Sequence, residues 1–189
     1  MNRKYYKKTI CILYMNKNDI SYSLSGDDIG SFFINPKIIK YSELKDLNSI
    51  DDILDDNTFV IILIETKLNN GHWVALIKQD MILEQFDSYS GLIDSELKYV
   101  NHNKQKLLGA DHHYLTELIQ KSKFKTVYNK VKLQAEDENT DTCGKWVVLR
   151  LLLFLDKGYN IDQFLDWFLK LAKKMKLSND ELVCKFILF

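Results

Sequence analysis

The segment Gly144–Lys157, GKWVVLRLLLFLDK, predicts a helix that is apolar on nearly every side. A helix at the surface of a domain keeps a polar face, so a helix without one belongs in the interior. Its most apolar run, Trp146–Leu155, is too short to cross a bilayer, which takes about 20 residues. The chain is therefore expected to fold around one central, buried helix.

Three strands are predicted ahead of this helix. Phe59–Glu65, FVIILIE, is a continuous apolar and β-branched run, which is typical of a buried strand. His72–Lys78 and Met81–Asp87 follow it, after turn signals at Asn69–Gly71 and Gln79–Asp80. Because only short loops separate successive strands, the three are predicted to form an antiparallel meander.

The other segments add helices and outlying strands around this centre. The chain has one proline, seven glycines and no low-complexity linker, which predicts a single domain over residues 1–189. The predicted class is α+β, with a small, mainly antiparallel sheet packed on helices. The further predicted elements are a strand at Ile10–Met15, a helix capped by Ser25, surface structure or a short helix over Lys40–Asn57, a helix over Leu107–Lys121, a strand at Thr126–Leu133, an amphipathic helix over Ile161–Lys176, a short helix that begins with Ser178 and Glu181, and an apolar end, Val183–Phe189, that packs into the core or pairs as an edge strand.

Charge and cysteine usage narrow the classes of function. Lysine plus arginine and aspartate plus glutamate number 26 each, so net charge gives no general affinity for nucleic acid. Cys11, Cys143 and Cys184 are widely spaced, which argues against a disulfide framework and favours a reducing compartment. The histidines between residues 102 and 113 lack ligand spacing with any cysteine pair, so no metal site is expected. The N-terminus also lacks the apolar core of a signal peptide.

Cys143 stands directly before the apolar helix, in the segment NTDTCGK. A thiol at that position faces the unpaired N–H groups and the positive end of the helix dipole, which favour the nucleophilic thiolate. Gly144, the next residue, leaves room for the backbone of a substrate to approach. The alternative is that Cys143 is a small, inert core residue, as free cysteines usually are.

Four further side chains suit the chemistry of a cysteine nucleophile. His72, at the start of a strand, is a candidate base, and Asp87, at the end of the neighbouring strand, is a candidate for the acid that orients it. Gln134, nine residues before Cys143, is a candidate oxyanion donor, and Trp73 is a candidate wall of a substrate cleft. Taken singly, each has a plain structural alternative: a surface histidine, a turn aspartate, a loop glutamine and a core aromatic residue.

The order and setting of these residues resemble those of a known superfamily. The motifs are GHWVALI at Gly71–Ile77, FDS at Phe86–Ser88, Gln134, and NTDTCG at Asn139–Gly144. They resemble the adenain and ubiquitin-like-protein protease superfamily of cysteine proteases, and most closely its viral maturation proteases of the adenovirus and virophage type. The resemblance spans roughly residues 59–155.

The resemblance implies an adenain-like fold, with the nucleophile at the N-terminus of the central buried helix. It implies that Cys143 is the nucleophile and that His72 is its base. Asp87 would orient the base, and Gln134 would donate a hydrogen bond to the oxyanion. No cofactor would be required, and a peptide or DNA is a candidate activator by analogy.

A maturation protease of this type would cleave capsid or core precursor proteins at glycine-containing sites during virion maturation. It would act in the virion and in the host-cell cytoplasm or viral factory, as a monomer, with a weak contact to DNA and none to a membrane. Three alternatives stay open: an isopeptidase that removes ubiquitin or a ubiquitin-like tag, a cysteine-dependent acetyltransferase of the same fold, and a non-enzymatic capsid or assembly protein. Asp87 and the balanced charge argue against the acetyltransferase, which typically carries glutamate and a basic phosphate site.

Overall fold

The computed structural model describes residues 19–187, so the predicted strand at Ile10–Met15 and Cys11 lie outside the described residues. Within residues 19–187, five strands and six α-helices follow one another, with three short 3₁₀ helices between them. They are α1 (Gly26–Gly30), β1 (Lys37–Lys40), β2 (Thr58–Lys67), β3 (Asn70–Gln79), β4 (Ile82–Phe86), α2 (His102–Leu108), α3 (Tyr114–Lys121), β5 (Lys125–Tyr128), α4 (Cys143–Lys157), α5 (Ile161–Met175) and α6 (Asn179–Phe186).

The chain divides into two compact units. The first, which we call the sheet unit, comprises Lys37–Asp87 and Gly91–Tyr128 and contains all five strands. The second, the helical unit, has residues 19–36, 88–90 and 129–187 as its described part and contains α1 and α4 to α6. Strands and helices of both units confirm the predicted α+β class.

The five strands of the sheet unit lie in the order in which they occur along the chain. β2, β3 and β4 pair antiparallel, as the predicted meander requires, and the edge strands β1 and β5 pair parallel with β2 and β4. The sheet is therefore mixed, although its longest ladders are antiparallel. β2 is buried along seven consecutive positions, which explains why its sequence is a continuous apolar run rather than an alternating one.

Two predictions for the sheet unit are wrong in extent. The predicted strand Thr126–Leu133 is only β5, which ends at Tyr128 because its partner β4 pairs with it no further than Gln85. The predicted helix Leu107–Lys121 is two helices, because α2 ends at Leu108 and is followed by Gly109, whose φ of 66° is left-handed. The second helix, α3, begins where Asp94 Oδ2 accepts a hydrogen bond from the Thr116 N–H at 2.9 Å.

The predicted surface segment Lys40–Asn57 is instead part of the core of the sheet unit. It forms 3₁₀ helices at Tyr41–Asp46 and Ile50–Asp52. Their apolar side chains pack against the sheet face formed by alternating residues of β2 and β3. A 3₁₀ helix repeats every three residues, so its buried positions match neither the helical nor the strand pattern. The buried side chains are Tyr41, Leu44, Ile50, Ile53 and Leu54.

The helical unit is organised by α4, which is buried over its first twelve residues, Cys143–Phe154, as predicted. The indole of Trp146 packs edge-on against Phe168 of α5, with ring centroids 4.7 Å apart. α6 begins with the predicted capping box of Ser178 and Glu181, and α5 begins with a similar one, formed by Asn160 and Gln163, that was not predicted. None of the helices within residues 19–187 is long and apolar enough to cross a membrane.

The described part of the apolar end is helical up to Phe186, and Ile187 is extended. α6 runs to Phe186, and Val183, Cys184 and Ile187 are buried. Core packing of this end is therefore confirmed for the described residues, and the edge-strand interpretation is wrong for them. Residues 188 and 189 lie outside the described part of the chain.

Candidate active site

His72 and Asp87 come together at one end of the β3–β4 hairpin. Ala75 of β3 lies opposite Phe86, the last residue of β4, so Asp87, which is one residue past the strand rather than its last residue as predicted, comes level with Val74. His72 precedes Val74 by two residues in β3 and therefore lies on the same face of the strand, so His72 is the diagonal neighbour of Asp87. The observed separation of 2.8 Å between His72 Nε2 and Asp87 Oδ1 agrees with this register.

The pair is almost fully removed from solvent. His72 is 8% exposed and Asp87 is 1% exposed. An ionised carboxylate only accepts hydrogen bonds, so Nε2 of His72 is the nitrogen that carries the proton toward Asp87. In the neutral imidazole Nδ1 is then the basic nitrogen. The arrangement can therefore accept a proton at Nδ1 and stabilise the resulting imidazolium by a buried ion pair.

Gly91 provides the space that the Asp87 carboxylate occupies. A Cβ atom on Gly91 would lie 2.5 Å from Asp87 Oδ2, 2.6 Å from Ser95 Oγ and 3.0 Å from Glu96 Oε1. These separations are shorter than van der Waals contact, so only glycine fits without moving the carboxylate. Sequence reasoning did not single out Gly91, although its position four residues after the aspartate of the FDSYSG segment was a usable signal.

Cys143 is the first residue of α4 and is 6% exposed. The helix begins at this point because Thr142 leaves helical geometry, with φ −99° and ψ 0°, while its carbonyl accepts from the Trp146 N–H at 3.0 Å. The sulfur thus belongs to the first turn of a 15-residue helix, where backbone N–H groups lack intrahelical partners. Gly144 follows it in the same turn and is buried.

Gln134 is locked in the loop that precedes α4. Its Oε1 accepts a hydrogen bond from Ser88 Oγ at 2.8 Å, and its Nε2 donates to the Thr140 carbonyl at 3.0 Å. Since a carbonyl only accepts, the Thr140 contact fixes which end of the amide is Nε2. The Leu133 and Gln134 N–H groups also donate to the Ser88 carbonyl, at 2.8 and 3.1 Å. One of the two N–H bonds of Nε2 is therefore directed to Thr140, and the second is the one that an oxyanion would use.

Lys145 ties an N-terminal segment to the start of α4. Its Nζ, on a buried side chain, donates to the carbonyls of Asp19 at 2.6 Å and Tyr22 at 3.0 Å. The Asp141 N–H donates to the Ile20 carbonyl at 2.8 Å. Residues 19–22 are thus held by groups two positions before and two positions after Cys143. Sequence reasoning missed Lys145, which it placed only as one residue of the apolar helix.

The predicted site residues are divided between the two units. His72 and Asp87 belong to the sheet unit, and Gln134, Cys143 and Gly144 belong to the helical unit. Trp73 lies in β3 opposite Leu63 and is buried, on the face of the strand opposite to that of the core residues Val74 and Leu76. Its contribution to a substrate cleft stays a prediction.

Metal-binding side chains do not cluster in the part of the chain that the structure describes. Residues 19–187 contain no group of three or more histidine, cysteine, aspartate or glutamate side chains placed to hold an ion. His112 instead pairs with Glu117 at 2.6 Å, and His102 lies 3.4 Å from the Gln105 side chain.

Comparison with known proteins identifies a full-length viral relative. No protein-family model matches the chain. The solved structure of the SUMO protease Ulp1 with its catalytic cysteine oxidised to a sulfinic acid is similar over 74% of this chain and 57% of that chain, at 19% identity and a TM-score of 0.28. The uncharacterized protein V9 of Sputnik virophage is 34% identical over 181 residues, which cover 95% of both proteins. Because that identity extends over nearly the whole of both chains, this protein belongs to the same family as the V9 protein of Sputnik virophage.

Proposed function

We propose that the protein is a cysteine peptidase in which Cys143 is the nucleophile, His72 the general base and Asp87 the residue that orients the base. The observation that carries the proposal is the buried His72–Asp87 pair, with Nε2 and Oδ1 2.8 Å apart. A histidine held this way by a carboxylate has a fixed tautomer and a stabilised imidazolium, which are the properties of a general base in acyl transfer.

The position of Cys143 supports the same proposal. Cys143 is the first residue of a long buried helix, and a negative charge on sulfur is favoured at a helix N-terminus. The chain also links the proposed parts. Asp87 is followed directly by Ser88, and Ser88 holds the side chain of Gln134 through Oε1. Gln134 is in turn bonded to Thr140, three residues before the nucleophile.

The proposed reaction runs in two acyl-transfer steps. His72 Nδ1 takes the thiol proton, and the sulfur of Cys143 attacks the carbonyl carbon of the scissile bond to give a tetrahedral oxyanion. The backbone N–H of Cys143 and the second N–H of Gln134 Nε2 would donate to that oxyanion. As the C–N bond breaks, His72 returns the proton to the leaving amine. Water, deprotonated by His72, then hydrolyses the thioester and restores the thiol.

A protein substrate of viral origin is the proposed target. The full-length relative belongs to a virophage, which supports a viral setting for this chain. We propose capsid or core precursor proteins, cut at glycine-containing sites in the virion, the host-cell cytoplasm or the viral factory. In this proposal the enzyme acts as a monomer and needs no metal, and a peptide or DNA is tested as an activator rather than assumed.

The test is cleavage of a peptide library by the wild-type protein and by two cysteine variants. Cys143→Ala should abolish cleavage while leaving the unfolding temperature nearly unchanged, because it removes one sulfur. Cys184→Ala is the matched control, since Cys184 is the other cysteine of residues 19–187 and is also buried. The library should include the C-terminal tail of a ubiquitin-like protein, whose preferred cleavage would indicate an isopeptidase. Equal cleavage by wild type and Cys143→Ala would refute the proposed nucleophile.

A further inference from the structure

Asp180 lies in the first turn of α6 and is only 6% exposed. Its carboxylate accepts three hydrogen bonds from the rest of the helical unit. Oδ1 accepts from Thr142 Oγ1 and from Trp146 Nε1, the latter at 3.1 Å, and Oδ2 accepts from the Ala135 N–H at 2.9 Å. Hydrogen bonds to an ionised acceptor are roughly twice as strong as those between neutral groups, so one buried side chain fastens three points of the chain.

The three donors surround the proposed nucleophile in the sequence. Thr142 directly precedes Cys143, and Trp146 lies one helical turn after Thr142. Ala135 directly follows Gln134, the proposed oxyanion donor. A single carboxylate therefore connects the start of α4 with the loop that carries Gln134, and it does so from a helix near the other end of the chain.

The hydroxyl of Thr142 has an unusual partner for its position. Threonine at an N-cap ordinarily accepts a hydrogen bond from an N–H of the first turn of its own helix. Within the described helical unit, the Thr142 side chain makes no such bond in α4 and donates to Asp180 instead. The hydroxyl thus does not compete for the first-turn N–H groups beside the sulfur, which are the donors that a thiolate or an oxyanion needs.

We propose that Asp180 is a positioning residue for the reaction: it sets the start of α4 and the Gln134 loop relative to each other, and it keeps the Thr142 hydroxyl off the N-terminus of α4. The proposal rests on the proposed function, because Asp180 would act through Cys143 and Gln134 and would not touch the substrate. It assigns α6 a part in positioning the reacting groups, which the sequence analysis did not predict.

The experiment compares Asp180→Asn with Glu181→Gln. Asparagine keeps the shape of aspartate but removes the charge, and its two oxygen positions can no longer both accept. Glu181 is the adjacent residue of the same helical turn, and its side chain binds only Ser178 among the described hydrogen bonds. Both variants lose one negative charge from α6, so the difference between them is that only Asp180→Asn changes the hydrogen bonds to the start of α4. Two quantities are measured: kcat and KM for peptide cleavage, and the rate at which iodoacetamide alkylates Cys143.

Asp180→Asn should lower kcat about 10- to 100-fold, the scale expected for a small displacement of reacting groups, with KM nearly unchanged. It should also change the alkylation rate of Cys143, and Glu181→Gln should leave both quantities near wild type. If Asp180→Asn folds poorly, Thr142→Val and Thr142→Ser replace it. Valine keeps the shape without the hydroxyl and should reproduce the loss of kcat, while serine keeps the hydroxyl and should retain most of it.

The outcomes separate this proposal from the proposed function. If the wild type cleaves peptides and the Asp180 and Thr142 variants match Glu181→Gln in kcat and in alkylation, the positioning role is refuted and the peptidase stands. If the wild type cleaves nothing, the alkylation rates decide alone. A change in Asp180→Asn but not in Glu181→Gln then still supports the role of Asp180 in placing Cys143, and equal rates in the two variants overturn it.

Discussion

Replacing Gly91 with alanine tests whether the Asp87 carboxylate has to stay where the structure holds it. The added Cβ would lie 2.5 Å from Asp87 Oδ2, whereas ordinary contact begins at 3.4 Å. Either the carboxylate or the backbone at residue 91 has to shift, and a shift made by the carboxylate alone would be about 0.9 Å, the difference between these two separations. The other oxygen of the carboxylate accepts the hydrogen bond from His72 Nε2 at 2.8 Å, so a shift of the carboxylate lengthens or breaks that bond.

The size of the effect follows from that displacement. A misplacement of about 1 Å costs on the order of 100-fold in rate, which is about 2.7 kcal/mol of transition-state stabilisation. Because Asp87 would act through His72, we expect kcat/KM of Gly91→Ala to fall about 10- to 100-fold. Overpacking also costs roughly 1–3 kcal/mol of folding free energy, so rates have to be compared at a temperature where every variant is folded.

Gly158→Ala is the matched control for this substitution. Gly158 follows α4 with φ 66°, and a Cβ there would meet no atom of the described residues within 4 Å. Alanine at that position costs about 1–2 kcal/mol through backbone strain alone. Urea unfolding should therefore show both variants destabilised, and peptide cleavage should be lost selectively in Gly91→Ala. Equal kcat/KM for the two variants would refute the argument that Asp87 orients the base.

Three further predictions use other parts of the molecule. Lys145→Met removes the two hydrogen bonds to the Asp19 and Tyr22 carbonyls, so amide hydrogen exchange of residues 19–22 should become faster, and unchanged exchange would contradict the assigned contacts. Burial raises the pKa of the Cys184 thiol, so Cys184 should be alkylated more slowly in the folded than in the urea-unfolded protein. The comparison is made at pH 7.5, about one unit below the usual thiol pKa. Equal alkylation rates would count against the burial of Cys184. Hydrogen bonds from Ser178 lower the pKa of Glu181 below its ordinary 4.5, so the stability that they provide is present above pH 4.5 and is lost as the pH falls below it. Glu181→Gln should therefore flatten the acid side of the curve of unfolding free energy against pH. Identical curves for the variant and the wild type would contradict the capping contact.

Local sequence patterns were sufficient for the elements that position the candidate residues. The predicted helix Gly144–Lys157 differs from α4 by one residue at its start, because a run that is apolar on every side has few alternatives to a buried helix. The three strands of the meander follow from apolar runs separated by short turns, and the register that brings His72 beside Asp87 is read from the structure. β3 begins two residues earlier than predicted, so His72 lies within the strand rather than at its first position.

Contacts between distant parts of the chain account for what the sequence could not predict. Lys145 binds a carbonyl 126 residues earlier, and Asp180 binds a hydroxyl 38 residues earlier, and no local period records either pairing. The burial of Tyr41 depends on Asp94, which is 53 residues later in the sequence. The carboxylate of Asp94 accepts a hydrogen bond from the Tyr41 hydroxyl at 2.6 Å. The split of the predicted helix Leu107–Lys121 had a local sign in Gly109, but the apolar spacing on either side favoured one continuous helix.

Alkylation of the wild type and of His72→Ala at pH 6, read by mass spectrometry, tests the proposal that His72 takes the proton of the Cys143 thiol. An unassisted thiol is almost wholly protonated at that pH and reacts slowly. If His72 holds the thiol proton, iodoacetamide should label Cys143 rapidly and ahead of Cys184 in the wild type, and that preference should disappear in His72→Ala. Equal, slow labelling of Cys143 in the two proteins, with or without added peptide or DNA, would refute the role of His72 as the base for Cys143.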